Sequence, residues 1–402
     1  MANLREYKRK KKYSVEEEQD MDYFENKIKA HKRRIFILVM VAIIVLLIGA
    51  VATKIYIDNR VFEEYSVKNS VELGDTYGCK FYGFGDFVLR YSNDGITYIN
   101  GKDTVWNQPF EMKDPLIDVC DGTVAIAETG GTTIYIYNMS GALGQVESEY
   151  PIENLAVAKQ GIVSVVTSDG ESGYIEVYDK KGNKLVSGRA VLSGETGYPL
   201  DLSISDDGTK MIVSFLNVTN LEINTKVVFY NFSEVGKSEV DRIVGMYGHY
   251  GDTLIPKVEF LSNNCAVAFG DKIYTIYSMK QKPEKIYEEE VDDRIKSVFY
   301  SDKYIGIVTE NEDVLNPYKV KVVNTEGKTM LETDVDIDYT GIKVDKKGVI
   351  LYNASEIKVI AFGGTVKYDQ VFDKEIADIL VTDESYTYLV VTSSGVEKIK
   401  LK

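Results

Sequence analysis

The chain has 402 residues, with 47 Lys and Arg against 62 Asp and Glu, a net charge of −15 and only two histidines. That balance argues against nucleic acid as a partner and against lying flat on an anionic surface, because both reward clustered cations. Cys79, Cys120 and Cys265 are the only cysteines, too few for an even disulfide framework and without C-x-x-C spacing, so they read as buried thiols.

Residues 1–34 hold 11 Lys and Arg and 7 Asp and Glu, leaving 36 and 55 for the strongly acidic remainder. The segment carries a basic cluster at 8–12 and too few apolar residues to bury a core, so it reads as a disordered tail with a short helix near its end. Residues 35–52 follow without a charge or a strong polar group. At about 1.5 Å per residue they extend roughly 27 Å, close to the ~30 Å of a bilayer's hydrocarbon, and the reading is a transmembrane helix over 35–53. Lys32, Arg33 and Arg34 flank its N-terminal end, which places residues 1–34 in the cytoplasm and the long remainder outside. Ala50-Val51-Ala52 has the form of a signal-peptidase site, but the basic region and the apolar run are both longer than in a signal peptide, so an uncleaved signal-anchor is expected. Residues 54–64 read as a linker.

From residue 65 onward the pattern changes to short alternating runs of Tyr, Val, Ile and Thr broken by Gly, Asn and Asp turns, the signature of an all-β domain. One line recurs, an apolar strand ending in a turn: IYIYNMSG at 134–141, YIEVYDKKG at 174–182, VVFYNFSEVG at 227–236 and KVKVVNTEGK at 319–328. Weaker copies lie at 95–102, 273–280 and 357–364. Each copy fits the third strand of a four-strand unit. First strands are expected near Cys79, Leu116, Asn154, Leu200, Ile255, Arg294, Tyr339 and Ile376, at a mean interval of about 42 residues that matches the ~40–45 of a propeller blade. The last unit shows three strands, and residues 65–73 are free to supply its fourth. The expected fold is therefore an eight-bladed β-propeller of four-stranded blades over residues 65–402, its ring closed by an N-terminal strand; seven blades is the alternative.

Ser205-Asp206-Asp207-Gly208-Thr209-Lys210 resembles the S-x-D-G-K turn common in propellers of the WD40 type. Val177-Tyr178-Asp179 followed by Gly182-Asn183-Lys184 resembles the third-to-fourth strand turn of quinoprotein-like blades. The whole resembles membrane-anchored propeller proteins of unknown function from Gram-positive bacteria. That resemblance implies a fold and a location at the cell membrane, and no activity.

Catalytic signatures are missing from the sequence. His249 is the one histidine after the apolar run, and G-x-S-x-G, H-E-x-x-H, a phosphate-binding glycine-lysine turn and zinc-spaced cysteines do not occur. Trp106 is the single tryptophan, where quinoprotein dehydrogenases repeat theirs in every blade. Asp334, Asp336 and Asp338 alternate like the start of a calcium loop, but Tyr339 stands where that loop needs glycine, so no cofactor is assigned and calcium is only a weak expectation.

The functional reading is a single-pass membrane protein that displays its propeller as a binding or scaffolding module for an extracytoplasmic protein or glycan. A carboxylate-based hydrolase or lyase working in the central funnel is one alternative, and a structural organiser of an envelope complex is another. Loop lengths point to a binding face. Long connections are expected only on the face that carries the second-to-third and blade-to-blade segments, at 193–198, 217–224, 245–252 and 310–318. Tyr247, His249, Tyr250, Tyr198 and Tyr318 lie in or beside those segments and are the candidate binding residues.

Overall fold

The computed structural model describes residues 3–74, 76–191, 197–219 and 222–402. It forms two units, one ending at Val61 and the other running Phe62–Lys402.

The first unit is a single helix, Asn3–Asn59. It therefore takes in residues 3–34, expected to be largely disordered, and the first part of the expected linker. Within it the Lys27 ammonium lies 5.2 Å from the centre of the Tyr23 ring, one turn earlier. Among the described residues no helix is long and apolar enough to cross a membrane. The described apolar side chains run from Ile35 to Gly49, about 22 Å of helix, and the side chains of 50–58 lie outside the described residues. The expected span at 35–53 is thus not met by its described part.

The second unit is the expected ring. Eight separate antiparallel sheets of four strands follow one another, seven of them made of consecutive strands. Their inner strands begin at Lys80, Pro115, Ile152, Tyr198, Lys257, Ile295, Gly341 and Ile376, each within two residues of the position expected from the repeat. The eighth sheet takes its outer strand, Tyr65–Glu72, from the other end of the chain: Tyr65 pairs with Leu401 and Glu72 with Gly395. Strand backbones come so close there that a Cβ on Gly395 would run into the Val71 carbonyl oxygen. The seven-bladed alternative is set aside.

The core is divided among the blade interfaces. Eight hydrophobic clusters occupy the eight gaps between neighbouring blades, so each blade is held mainly by the two beside it. Phe62 and Tyr65 join the cluster between blades 7 and 8, and Val71 joins the one between blades 8 and 1.

The repeated turn has a physical cause. At its end the Asn or Asp carboxamide or carboxylate accepts the backbone N–H two residues on: Asn138 from Ser140 at 2.9 Å, Asp179 from Lys181 at 2.9 Å, Asn231 from Ser233 at 2.9 Å and Asn324 from Glu326 at 3.1 Å. The turn at 205–210 is likewise self-satisfied, with Ser205 donating to Asp207 at 2.8 Å and Gly208 at φ +66°, a backbone region that favours glycine.

The expected contrast between the two faces is only partly present. Third-to-fourth and first-to-second turns do share one face, here the first face, but its connection at 232–242 carries a four-residue helix, Glu234–Lys237, and is the longest described connection in the ring. On the second face, 217–224 is not a loop. Its described residues belong to the strands Lys210–Thr219 and Glu222–Asn231, which pair as a ribbon with Val218 beside Ile223. Most of the expected loop at 193–198 lies outside the described residues.

Candidate functional site

The aromatic loop after blade 4 turns inward. Tyr250 is 4 % exposed, its hydroxyl is hydrogen-bonded to that of Tyr277 in blade 5, and burial raises its pKa to about 12. Tyr247 is half-buried, donates to the Pro283 carbonyl at 3.1 Å and packs its ring 4.8 Å from Tyr277. His249 is exposed but engaged, with Nε2 2.5 Å from Glu288 and its ring stacked on Tyr250. Burial opposes the charge on Glu288, yet Lys285, His249 and Thr275 together hold its carboxyl below the ordinary range. These three candidates therefore join blade 4 to blade 5, and only His249 among them presents a surface.

The other candidates are separate from this loop, and among them only Tyr318 and Asp338 meet. Tyr198, in the inner strand of blade 4, donates to Glu153 of blade 3, and burial followed by that carboxylate raises it to about 12. Tyr318 opens the third strand of blade 6, where its hydroxyl donates to Asp338 at 3.2 Å while the Lys296 ammonium lies 4.4 Å from its ring centre. Asp336 pairs with Lys358, which holds its carboxyl below the usual range; Asp338 meets Tyr318, and Asp334 is exposed. No group of three or more His, Cys, Asp or Glu among the described residues is arranged to hold a metal ion. Lys32, Arg33 and Arg34 are exposed on the helix. Of the thiols, Cys265 is buried as expected, whereas Cys79 and Cys120 are half-buried. Burial pushes Cys120 up to about 12 and Cys265 up to about 11, which leaves both as poor nucleophiles.

Sequence reasoning missed the polar lining of the central channel. Inner strands of blades 1, 6, 7 and 8 enclose a cavity of about 630 Å³ that includes Lys80, Tyr82, Tyr300, Lys343 and Asp378. Blades 4, 5 and 6 contribute a linked cluster, in which Lys257 sits 3.0 Å from Glu259 and 3.5 Å from Asp201 while Tyr300 donates to Glu259 at 2.9 Å. Burial opposes the Lys257 charge, but Glu259, Tyr300 and Asp201 outweigh it and hold the ammonium above its ordinary pKa. Burial, and then the charge of Glu259, raise Asp118 to about 6. Asp118 binds more protons folded than unfolded between its ordinary value and about 6, so its contribution to stability falls as pH rises through that window.

Most of these carboxylates have a structural task. The inner edge of a blade exposes backbone N–H groups, and in blades 3 and 5 a carboxylate of the preceding blade accepts one: Asp118 takes Val157 N–H at 2.7 Å and Asp201 takes Val258 N–H at 2.8 Å. Tyr352 of blade 7 reaches Asp378 of blade 8 in a similar link. A charged residue in an otherwise apolar inner strand, as in Lys257-Val258-Glu259-Phe260, is the sequence signal that would have located this channel.

Fold and surfaces together define a β-propeller module, a rigid ring whose polar groups are largely engaged in joining its own blades. The chain belongs to a family of unknown function, DUF5711, which matches residues 58–401. No curated protein matches it. Solved structures of similar fold include BamB from Moraxella catarrhalis, 12% identical over 84% of this chain and 98% of that one with a TM-score of 0.50. The computationally designed Ika8 protein is 14% identical over 83% and 99%, TM-score 0.54, and Sqt1 from Chaetomium thermophilum is 9% identical over 84% and 100%, TM-score 0.52. At these identities the likeness concerns the fold alone.

Proposed function

We propose that the protein is a membrane-tethered propeller that binds an extracytoplasmic protein on its second face. The carrying observation is where the chain joins the ring. Tyr65 pairs with Leu401, and Glu64 exchanges backbone hydrogen bonds with Lys402, so the chain enters the ring at the first-face end of blade 8 and no connection to the preceding segment is made on the second face. The helix supports a tether because Ile35, Phe36, Leu38, Leu46 and Ile48 are all exposed, and an all-round apolar helix in water lacks any surface to bury against. Lys32, Arg33 and Arg34 then mark its cytoplasmic end. Large apolar side chains on the second face, Val314 and Leu315 above all, supply contact surface for a partner.

Site-specific photo-crosslinking in cells tests the face. A benzoylphenylalanine at Val314 should give a discrete crosslinked species, and one at Lys181, in a first-face turn, should not. Crosslinks from Lys181 alone would overturn the assignment.

A further inference from the structure

Between blades 5 and 6, the end of the outer strand Glu284–Glu290 and the connection after it approach the second-face ends of Tyr304–Glu310 and Tyr318–Asn324. They enclose a cleft of about 200 Å³ whose lining includes Glu290, Asp292, Asp293, Thr309, Lys321 and Glu332. Its cations are already matched. Lys321 lies 2.5 Å from Glu289, and Lys319 lies 3.7 Å from Glu332. Glu290, Asp292 and Asp293 pair with no cation among the described residues.

Two further observations point to a ligand. Thr309 lines the cleft, the residue is only 8 % exposed, and its hydroxyl bonds to no described residue. Next, the two cleft-lining strands of blade 6 are joined by the loop 311–317, which holds Val314 at 91 % and Leu315 at 80 % exposure. This loop is fixed, with Leu315 N–H donating to Asp313 at 3.0 Å, the Asn316 amide donating to Asp313 at 2.8 Å and Asn311 N–H donating to the Pro317 carbonyl at 2.8 Å. Two large apolar groups are thus held in water on the loop that joins two of the cleft-lining strands.

We infer that this cleft receives an arginine side chain from a partner polypeptide, with an apolar neighbour of that arginine resting on Val314 and Leu315. The volume suits one long side chain and falls below the roughly 300 Å³ at which small-molecule pockets begin. A guanidinium brings five donors in a planar fork, enough to engage two carboxylates and the Thr309 oxygen together. The apolar pair selects a peptide over a free polyamine. This assignment rests on the reading that the second face receives the partner, and it names that partner's chemistry.

The test uses the full-length protein in detergent micelles, with the peptide acetyl-Leu-Arg-Leu-amide as probe and empty micelles as control. Calorimetric titration should show binding that weakens at high salt, and replacing arginine by citrulline should weaken it about 10-fold or more, the range of one to two charge-assisted hydrogen bonds. Combining Glu290→Gln, Asp292→Asn and Asp293→Asn, all at exposed positions, should weaken it at least as much with an unchanged melting temperature. Thr309→Val should cost severalfold. Equal binding of the citrulline peptide, or full binding by the triple variant, would overturn the inference. So would concentration-dependent dimers abolished by the triple change without any peptide binding, which would make the occupant a second copy. Failed peptide binding alongside persistent crosslinking from Val314 would remove the arginine assignment and leave the binding face standing.

Discussion

A chain beginning at Gly74 is expected to melt about 5 °C or more below one beginning at Arg60, and to aggregate. The shorter chain loses Phe62 and Val71, both buried, whose burial alone is worth about 3–6 kcal/mol in total. Against a typical stability of about 5–15 kcal/mol that is a large share, and each kcal/mol shifts the melting point of a domain this large by roughly 1–2 °C. The damage is also spread. One strand contributes to the clusters on both sides of blade 8, so its removal weakens two of eight interfaces in a ring where each blade depends on its neighbours. The uncovered strand Gly395–Leu401 becomes an open edge, ready to pair with another molecule. Calorimetry and light scattering on the two chains decide the matter; equal melting points and equal solubility would mean that the strand is dispensable.

The second large effect is expected at Tyr250. Replacement by alanine empties a buried site in the cluster between blades 4 and 5 and leaves the Tyr277 hydroxyl without its partner, which should cost about 3–5 kcal/mol. Tyr250→Phe keeps the ring and loses only the hydroxyl contact, so about 1 kcal/mol is expected. His249→Ala removes an exposed contact with Glu288 and should change stability by less than about 1 kcal/mol. Denaturant unfolding of the three variants would establish the order. A Tyr250→Ala cost below that of His249→Ala would show that the loop is a free binding element after all.

This loop illustrates where sequence reading stopped. The number of blades, the third-strand turn and the closing strand were all legible, because each follows from alternation and from turn chemistry that acts within a few residues. Tyr198, Tyr247 and Tyr250 were legible as tyrosines near connections, but whether such a ring points to solvent or into the next blade depends on a neighbour about 30 to 50 residues away. Tyr277 and Glu153 decide it here. The same holds for the channel, since Asp118 and Asp201 are ordinary strand acids until the backbone N–H groups of Val157 and Val258 are brought against them. The cleft between blades 5 and 6 needed four strands and a connection from two blades, which no local pattern brings together. The helix at 232–242 was missed for a simpler reason: four residues are too few to show a period.

Under the proposed function residues 1–34 lie on one side of a membrane and the propeller on the other, and topology labelling tests this most directly. With Cys79, Cys120 and Cys265 replaced by alanine, single cysteines are introduced at Ser14 and Lys181 and intact cells are treated with a membrane-impermeant maleimide. Labelling at Lys181 in whole cells, and at Ser14 only after lysis, is the predicted result. Labelling at Ser14 in whole cells with Lys181 protected would contradict it, and so would a mature protein whose first residue is Thr53.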